Sequence, residues 1–313
     1  MSAFLALRGI STRWIRLAIP VLLGAVLSSF IEMTQLFTPG RNCSTDDLVH
    51  NILGSAFGVM AGFAFERTIG PVRLLDRGRP DPSALALLFC QAAALTFPFF
   101  PVVHLPVWRQ KILAFIHGSL LNPMAFLSAA ACWFAIAMMI KAAKLRYRNV
   151  WLAISVLLIP AQIAIVTRQP LPVELLGAVA GIALCKLRPI NPAWAFLALL
   201  VIRGLAPFHF TAASQPFGWI PFGALLETEW QYGIRILLEK LFYYGTAIWL
   251  LRRAEVRWTF VIAMVCMVLG AIEAIQTHIP GRTAEITDPV LALMAGVGLR
   301  VLRRHPIGYH ANS

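Results

Sequence analysis

The chain has 313 residues, of which 59% are hydrophobic and only 13% are charged. A soluble protein needs about 25% charged residues to cover its surface. The composition therefore excludes an ordinary soluble domain, a disordered chain and a coiled coil, and it predicts an integral membrane protein. The net charge of +13 would suggest nucleic acid on a soluble surface, so the positions of the charges decide what it means.

Windows of about 20 mainly apolar residues, enough to cross a bilayer, predict ten membrane helices. In chain order they are 14–37, 47–65, 83–100, 123–140, 149–166, 172–187, 193–205, 234–251, 259–278 and 288–301. We therefore expect an all-α fold, a polytopic membrane helical bundle with about ten transmembrane helices. The first apolar run is too long for a cleavable leader, so we expect it to be a membrane helix.

The basic residues indicate an orientation, because Lys and Arg near span ends stay in the cytoplasm. With the N-terminus inside, 19 of the 27 Lys and Arg fall in inner segments. The outer loops hold five: Arg41, Arg109, Lys111, Arg168 and Arg282. This partition predicts a multi-pass protein of a bacterial inner membrane with both termini cytoplasmic. It also explains the positive net charge by the orientation of the chain in the membrane, with contact to anionic lipids. We therefore expect no nucleic-acid partner.

An internal repeat is the most informative pattern. Segment 31–49 aligns without a gap on segment 272–290, with eight of 19 positions identical, where about one is expected from residue frequencies. The first copy contains Glu32, Gln35, Arg41 and Asp47, and the last contains Glu273, Gln276, Arg282 and Asp288. A fainter central copy repeats the spacing with Gln162, Arg168 and Glu174.

Each copy is predicted to be a helical hairpin with polar groups at its outer end. Residues three apart, such as Glu32 and Gln35, share one helix face, and the acid that follows the turn caps the returning helix. An Arg between two carboxylates can bridge both helices, so we expect Arg41 and Arg282 to contact a carboxylate of their own hairpin. We interpret the central and last copies as structural clasps of this kind.

The first copy adds further polar groups to the opening turn of the second helix. These are Asp46, His50 and Asn51, with Gly54 and Gly58 following them. We predict a binding site here, made of Glu32, Gln35, Arg41, Asp46, Asp47, His50 and Asn51. The two glycines are typical of helix packing contacts rather than of ligand contacts.

The spacing of these residues resembles the signature of the VanZ-like family of bacterial membrane proteins. The resemblance rests on Glu32, Gln35, Arg41, Asp46, Asp47, Asn51, Gly54 and Gly58. Supporting segments precede the last copy: Pro207-Phe208, Ile220-Pro221-Phe222 and, more loosely, 241–245, while Phe97-Pro98-Phe99 precedes the central copy. On this basis the chain divides into a partial two-helix repeat, 1–80, a degenerate four-helix repeat, 81–190, and a four-helix repeat, 191–313.

The family resemblance implies an envelope protein associated with low-level resistance to the glycopeptide teicoplanin. We therefore expect the first-copy cluster to bind a membrane lipid or a lipid-linked glycan on the outer face, which would alter glycopeptide susceptibility. The last copy has Ala292 where the first has Asn51, and the central copy has Ile159 and Ala178 in place of Glu32 and Asn51. A function that needs the full polar set is therefore expected at the first copy.

A membrane transporter, or a membrane enzyme acting on a lipid or phosphate group, is the alternative. Paired carboxylates with an Arg can transfer protons or hold a phosphate. The sequence contains no recognisable nucleophile and base, no metal-ligand spacing and no phosphate loop, and transport sites lie near the bilayer midplane. We therefore expect no catalytic residues, no metal and no cofactor, and the protein is interpreted as a binding or accessory protein rather than an enzyme.

Arg41→Ala is predicted to abolish a resistance or lipid-binding phenotype, whereas Arg168→Ala should leave it largely intact. The reason is that only the first copy surrounds its Arg with Asp46, His50 and Asn51. The phenotype is measured per folded molecule, because loss of a clasp at either copy lowers the amount of folded protein. An equal fall in both variants would contradict the assignment of the site to the first copy.

Overall fold

The computed structural model describes residues 18–26, 28–29, 49, 52–60, 80–98, 102, 104–165, 169–187, 192–224 and 229–304. Within these ranges every regular element larger than a single bridged pair is a helix, which confirms the all-α class. The chain forms two compact units, Met1–Leu74 and Leu75–Ser313. The predicted division of the second unit into two four-helix repeats stays a prediction.

The N-terminal unit is helical over residues 18–26, 28–29 and 52–60, which fall in the first two predicted spans. The segments 18–26 and 52–60 approach closely, because a Cβ atom added at Gly24 would lie 2.2 Å from the Ser55 Oγ. Leu22, Phe57 and Met60 expose about two thirds of their surfaces (62%, 66% and 65%). This unit therefore presents apolar side chains on its exterior.

The described part of the second unit contains nine α-helices. They are α1 (Pro82–Thr96), α2 (Leu105–Ile116), α3 (Pro123–Ala142), α4 (Arg148–Ala161), α5 (Pro172–Leu187), α6 (Ala193–Leu205), α7 (Trp230–Arg253), α8 (Trp258–Gln276) and α9 (Thr287–Arg304). A single 3₁₀ turn, Gln162–Ala164, follows α4. Apart from α2, each helix matches one predicted span.

Capping residues explain where two of these helices begin. Asp81 precedes Pro82, and its carboxylate accepts hydrogen bonds from the backbone N–H groups of Ser83 and Ala84. Asn122 precedes Pro123, and its side chain accepts one from Ala125. Proline suits the first turn of a helix because the N–H that it lacks would have no partner there, and the cap satisfies the remaining donors.

Helix α2 was not predicted, because Arg109 and Lys111 marked this segment as an outer loop. At 12 residues it is too short to cross a bilayer. Its Trp108 indole donates a 2.7 Å hydrogen bond to the Val102 carbonyl, and Lys111 Nζ donates to the Ile165 carbonyl. Leu105 and Ile116 are exposed, so α2 is a short surface helix tied to the chain on both sides.

Two of the described helices, α3 and α8, are long and apolar enough to cross a membrane. The apolar helices Pro82–Thr96, Arg148–Ala164 and Ala193–Leu205 are shorter. The structure therefore agrees with membrane-spanning helices but does not confirm ten spans.

Helix α7 lies at the centre of the second unit and contacts α1, α3, α6, α8 and α9. Phe242, Ile248, Leu250 and Leu251 on this helix are fully buried. The apolar half of α7, 241–251, therefore forms the middle of the core, while its first half carries charged residues toward the site described below.

The α3–α5 pair has the most extensive contact between helices, and glycine makes it possible. A Cβ atom added at Gly177 would lie 2.7 Å from the Ala129 Cβ, and one added at Gly181 would lie 2.2 Å from the Ala130 carbonyl oxygen. Glycines four residues apart let two helix backbones approach closely. The larger side chains of α5, such as Leu176 and Leu184, are exposed on its other side.

Gly181→Val is expected to destabilise the protein by about 1–3 kcal/mol, because the side chain must push α5 away from α3. Thermal unfolding of the purified protein in detergent measures the effect. Ala183→Val is the matched control, since Ala183 lies two residues away on the exposed surface of the same helix. Equal melting temperatures for the two variants would show that the close contact does not limit stability.

Candidate functional site

The first-copy residues and one central-copy residue lie outside the described part of the chain. They are Glu32, Gln35, Arg41, Asp46, Asp47, His50, Asn51 and Arg168. The binding site assigned to the first copy therefore stays a prediction. The described residues contain the whole last copy and both Gln162 and Glu174 of the central copy.

The last copy forms the α8–α9 hairpin, as the sequence predicted. Gln276 is the final residue of α8, and Asp288 lies in the first turn of α9. Glu273, Gln276 and Asp288 are all buried. The Gln276 amide donates a 2.8 Å hydrogen bond to the Gly204 carbonyl on α6, so the hairpin is attached to a helix outside itself.

Asp288 is held by α7 rather than by the Arg of its own hairpin. Its Oδ1 accepts from Lys240 Nζ at 2.5 Å, and its Oδ2 accepts from the Tyr244 hydroxyl at 2.5 Å. Lys240 and Tyr244 lie four residues apart and so share one face of α7. A buried carboxylate with a cation and a hydroxyl on its two oxygens has the partners that burial requires.

The predicted clasp by Arg282 is wrong. Its guanidinium donates two hydrogen bonds to the Ala206 carbonyl, at 3.2 Å from Nε and 2.7 Å from Nη2, and Arg282 is exposed. Glu273 instead accepts a 2.9 Å hydrogen bond from the Glu285 backbone N–H. The physical reason is that Lys240, on a neighbouring helix, already occupies Asp288, while the turn directs Arg282 to the end of α6.

The segment between α6 and α7 covers the turn of the hairpin. Thr211 N–H donates to the His278 carbonyl at 2.8 Å, and Gln215 N–H donates to the Thr277 carbonyl at 2.7 Å. Gly218 and Glu285 form a parallel bridge. Further along, the backbone N–H of Phe222 donates to Thr287 Oγ1 and that of Ala224 donates to Glu285 Oε2. These bonds fix the Glu285 carboxylate in place.

A third charged group joins α6 to α7. Arg203 forms an ion pair with Glu239, and its guanidinium carbon lies 4.2 Å from the centre of the Tyr243 ring. Glu239 and Tyr243 are four residues apart on α7, so one face of the helix provides both the carboxylate and the ring. The Arg is therefore held by a charge pair and a cation–π contact together.

These groups surround a cavity of about 430 Å³. It lies where α6 and α8 end and α9 begins, beside the first half of α7. Its charged and polar lining consists of Arg203, Glu239, Lys240, Tyr243, Tyr244, Glu273, Gln276, Arg282, Thr283, Glu285 and Asp288. We call this the hairpin cavity. Its volume falls in the range of small-molecule sites, about 300–1,000 Å³, and it carries both signs of charge.

The central copy lines a second cavity of about 400 Å³ beside the first. Gln162 and Glu174 contribute to it, and Glu174 lies in the first turn of α5 as predicted. Arg203, Glu239 and Tyr243 line both cavities. The two repeat copies therefore meet across one shared wall, and the Gln162 amide donates to the Ile159 carbonyl at the end of α4.

Sequence reasoning missed the cations that organise the site. Arg203, Lys240 and Glu239 are not among the residues that the sequence pattern assigns to a site. The available signal was general: ionisable residues inside apolar helices pair with one another and mark functional positions. The sequence pattern could not show that Arg203 pairs with Glu239 and Lys240 with Asp288, because these partners lie 36 and 48 residues apart.

Chemically, the hairpin cavity can recognise a polar group that both donates and accepts hydrogen bonds. Four carboxylates and three basic side chains line it, and the Arg203–Glu239 and Lys240–Asp288 pairs offset their charges. Among the described residues no group of three or more His, Cys, Asp and Glu has a metal-binding arrangement. The site as described is a polar cavity that carries both signs of charge.

Lys240→Met is expected to destabilise the protein by about 3 kcal/mol, because it leaves the buried Asp288 carboxylate without its cation. Arg282→Met should cost much less, since its partner is one backbone carbonyl at an exposed position. Urea unfolding of both purified variants provides the comparison. The double variant Lys240→Met with Asp288→Asn should recover part of the lost stability, because no unpaired carboxylate remains. If Arg282→Met is destabilised more than Lys240→Met, Arg282 does hold a carboxylate of its hairpin.

Comparison with protein families gives a match at the start of the chain. The VanZ/LLP1 family model matches residues 1–66, the segment that contains the first repeat copy. No curated protein and no solved structure matches the chain. The chain is therefore VanZ-like over its first 66 residues, in agreement with the resemblance carried by Glu32, Arg41 and Asn51.

Proposed function

We propose that this protein is a multi-pass protein of the bacterial cytoplasmic membrane that binds the polar group of an envelope lipid or lipid-linked glycan at its outer face. The hairpin cavity is the observation that carries the proposal. It is a polar pocket of ligand size at one end of the helices, whereas the sides of the helices are apolar. Packing of membrane helices alone does not require such a pocket.

The exposed side chains of the described helices support the membrane assignment. Phe89 on α1, Leu127 on α3 and Leu157 on α4 expose 76%, 53% and 63% of their surfaces. In water such surfaces would favour aggregation, whereas lipid tails solvate them. Ten spans, the number that the sequence predicts, would place both termini on one side.

The charges support an orientation in which the cavity faces outward. The cavity lies where α8 ends and α9 begins, whereas Lys141, Lys186, Arg253 and Arg303 lie at the opposite ends of α3, α5, α7 and α9. Because Lys and Arg near span ends stay in the cytoplasm, these four cations belong to the inner side. The hairpin cavity then opens toward the envelope.

The lining of the cavity favours a hydroxyl-rich or phosphate-linked headgroup. Carboxylates such as Glu239 accept hydrogen bonds from hydroxyl groups, while Arg203 and Arg282 can donate to phosphate oxygens. The first-copy cluster, Glu32 to Asn51, is proposed to provide equivalent groups, and binding of this kind would alter how a lipidated glycopeptide such as teicoplanin anchors at the membrane.

A transporter or a membrane enzyme is the second candidate function. The two neighbouring cavities share the wall formed by Arg203, Glu239 and Tyr243, which is the observation that favours movement of a ligand between them. Both cavities lie at the same end of the helices, however, and transport sites are found near the midplane. Binding therefore explains the arrangement better.

Thr283→Trp is predicted to weaken binding of a polyprenyl-pyrophosphate-linked disaccharide at least tenfold. Thr283 lines the hairpin cavity and is exposed, so an indole there fills the opening without removing an ion pair. The dissociation constant is measured by titration of the full chain in phosphatidylcholine nanodiscs. Teicoplanin susceptibility of cells that express each variant at equal levels gives a second readout.

Ala274→Trp is the matched control, because Ala274 is exposed on α8 and does not line the cavity. It should bind as the unmodified chain does. Equal affinity of Thr283→Trp and Ala274→Trp for the lipid-linked disaccharide would refute binding at this cavity. Turnover of the disaccharide, or its counterflow across proteoliposomes, would instead support the enzyme or the transporter.

A further inference from the structure

A larger cavity, of about 1070 Å³, lies at the opposite end of the second unit. It is formed where α1 and α4 begin and where α3, α5, α7 and α9 end. We call it the basic cavity. No lining residue is common to it and the hairpin cavity, so whatever it binds is a separate ligand.

Six cationic side chains converge on the basic cavity from five helices and one turn. They are Lys141, Lys144, Arg148, Lys186, Arg253 and Arg303. All six are exposed to solvent, so each is hydrated, and together they create a positive potential that attracts anions. The cavity therefore favours negative charge, from the protein or from a ligand.

The protein does not supply that charge among the described residues. Asp81 is the acidic residue in the lining, and its carboxylate already caps α1 and accepts a 2.9 Å hydrogen bond from the Trp249 indole. The ion pairs of the described part of the chain, Arg203–Glu239 and Lys240–Asp288, lie at the other end. Within the described part of the chain none of the six cations forms an ion pair, so they can contact an external anion.

The wall of the cavity between the helices is apolar. Phe134, Ala137 and Met138 of α3 face it together with Leu152 of α4 and Ile182 of α5. A soluble phosphate compound would use the cations and leave the partly exposed side chains of this wall, Met138 and Ile182, uncovered. An amphiphile with an anionic headgroup and acyl chains would match both surfaces, since apolar burial adds to the electrostatic attraction.

We infer that the basic cavity binds an anionic phospholipid, with its phosphates among the six cations and an acyl chain against the α3, α4 and α5 side chains. The number of cations and the volume favour a headgroup that carries two phosphates. Basic pockets between membrane helices on the cytoplasmic side are known to suit such headgroups. The inference needs the membrane location of the chain but not the ligand proposed for the hairpin cavity.

The test compares two double variants that remove the same charge at the same end of the protein. Lys141→Gln with Arg148→Gln removes two cations of the basic cavity. Arg146→Gln with Arg257→Gln removes two cations that do not line it. Native mass spectrometry of the full chain, titrated with cardiolipin or with phosphatidylcholine, gives the dissociation constants.

The unmodified chain should bind cardiolipin at least tenfold more tightly than phosphatidylcholine. The cavity variant should lose about 30-fold in affinity for cardiolipin, the scale expected for two basic residues at an anionic lipid surface. The control variant should stay within threefold of the unmodified chain. Both variants should keep the melting temperature of the lipid-free protein, because neither changes a buried contact.

Three outcomes would overturn the inference. Equal losses in the two double variants would mean that only the general positive charge of this end attracts lipid. Equal affinity for cardiolipin and phosphatidylcholine would show that the negative charge of the lipid does not contribute to binding. Inorganic pyrophosphate that binds the unmodified chain more tightly than cardiolipin does would identify the ligand as a soluble phosphate compound.

Discussion

The structure depends on one constraint: each charged group placed among apolar helices must find its partner inside the protein. Asp288 meets this need with Lys240 and Tyr244, and Arg203 meets it with Glu239 and Tyr243. All four partners come from α7. Charge pairing as well as apolar packing therefore holds α7 at the centre, because Glu239 pairs with α6 and Lys240 pairs with α9.

The sequence predicted the helical elements well, because apolar runs and capping residues are local patterns. The spans predicted at 172–187 and 193–205 coincide with α5 and α6, and the acids Glu174 and Asp288 begin their helices as expected. The exception was α2, where two basic residues within an amphipathic segment resembled a loop. Length and charge together do not distinguish a short surface helix from a connecting segment.

The candidate site was only partly predictable, for a physical reason. The repeat predicted that Glu273, Gln276 and Asp288 belong to one structural clasp, and all three line the hairpin cavity, but Arg282 has a different partner from the one predicted. An Arg near two acids along the chain is not committed to either of them, because tertiary packing can place another cation closer. Lys240, from a helix that ends five residues before α8 begins, could be matched with Asp288 only once the packing of α7 against α9 was known.

Glu239 and Lys240 are neighbours in sequence, yet they pair with different helices. Successive residues of an α-helix point about 100° apart, so the two ion pairs hold α7 from two directions at once. Turning α7 about its axis, or sliding it by one residue, would separate both pairs together. The two ion pairs therefore oppose both rotation of α7 about its axis and translation of α7 along it.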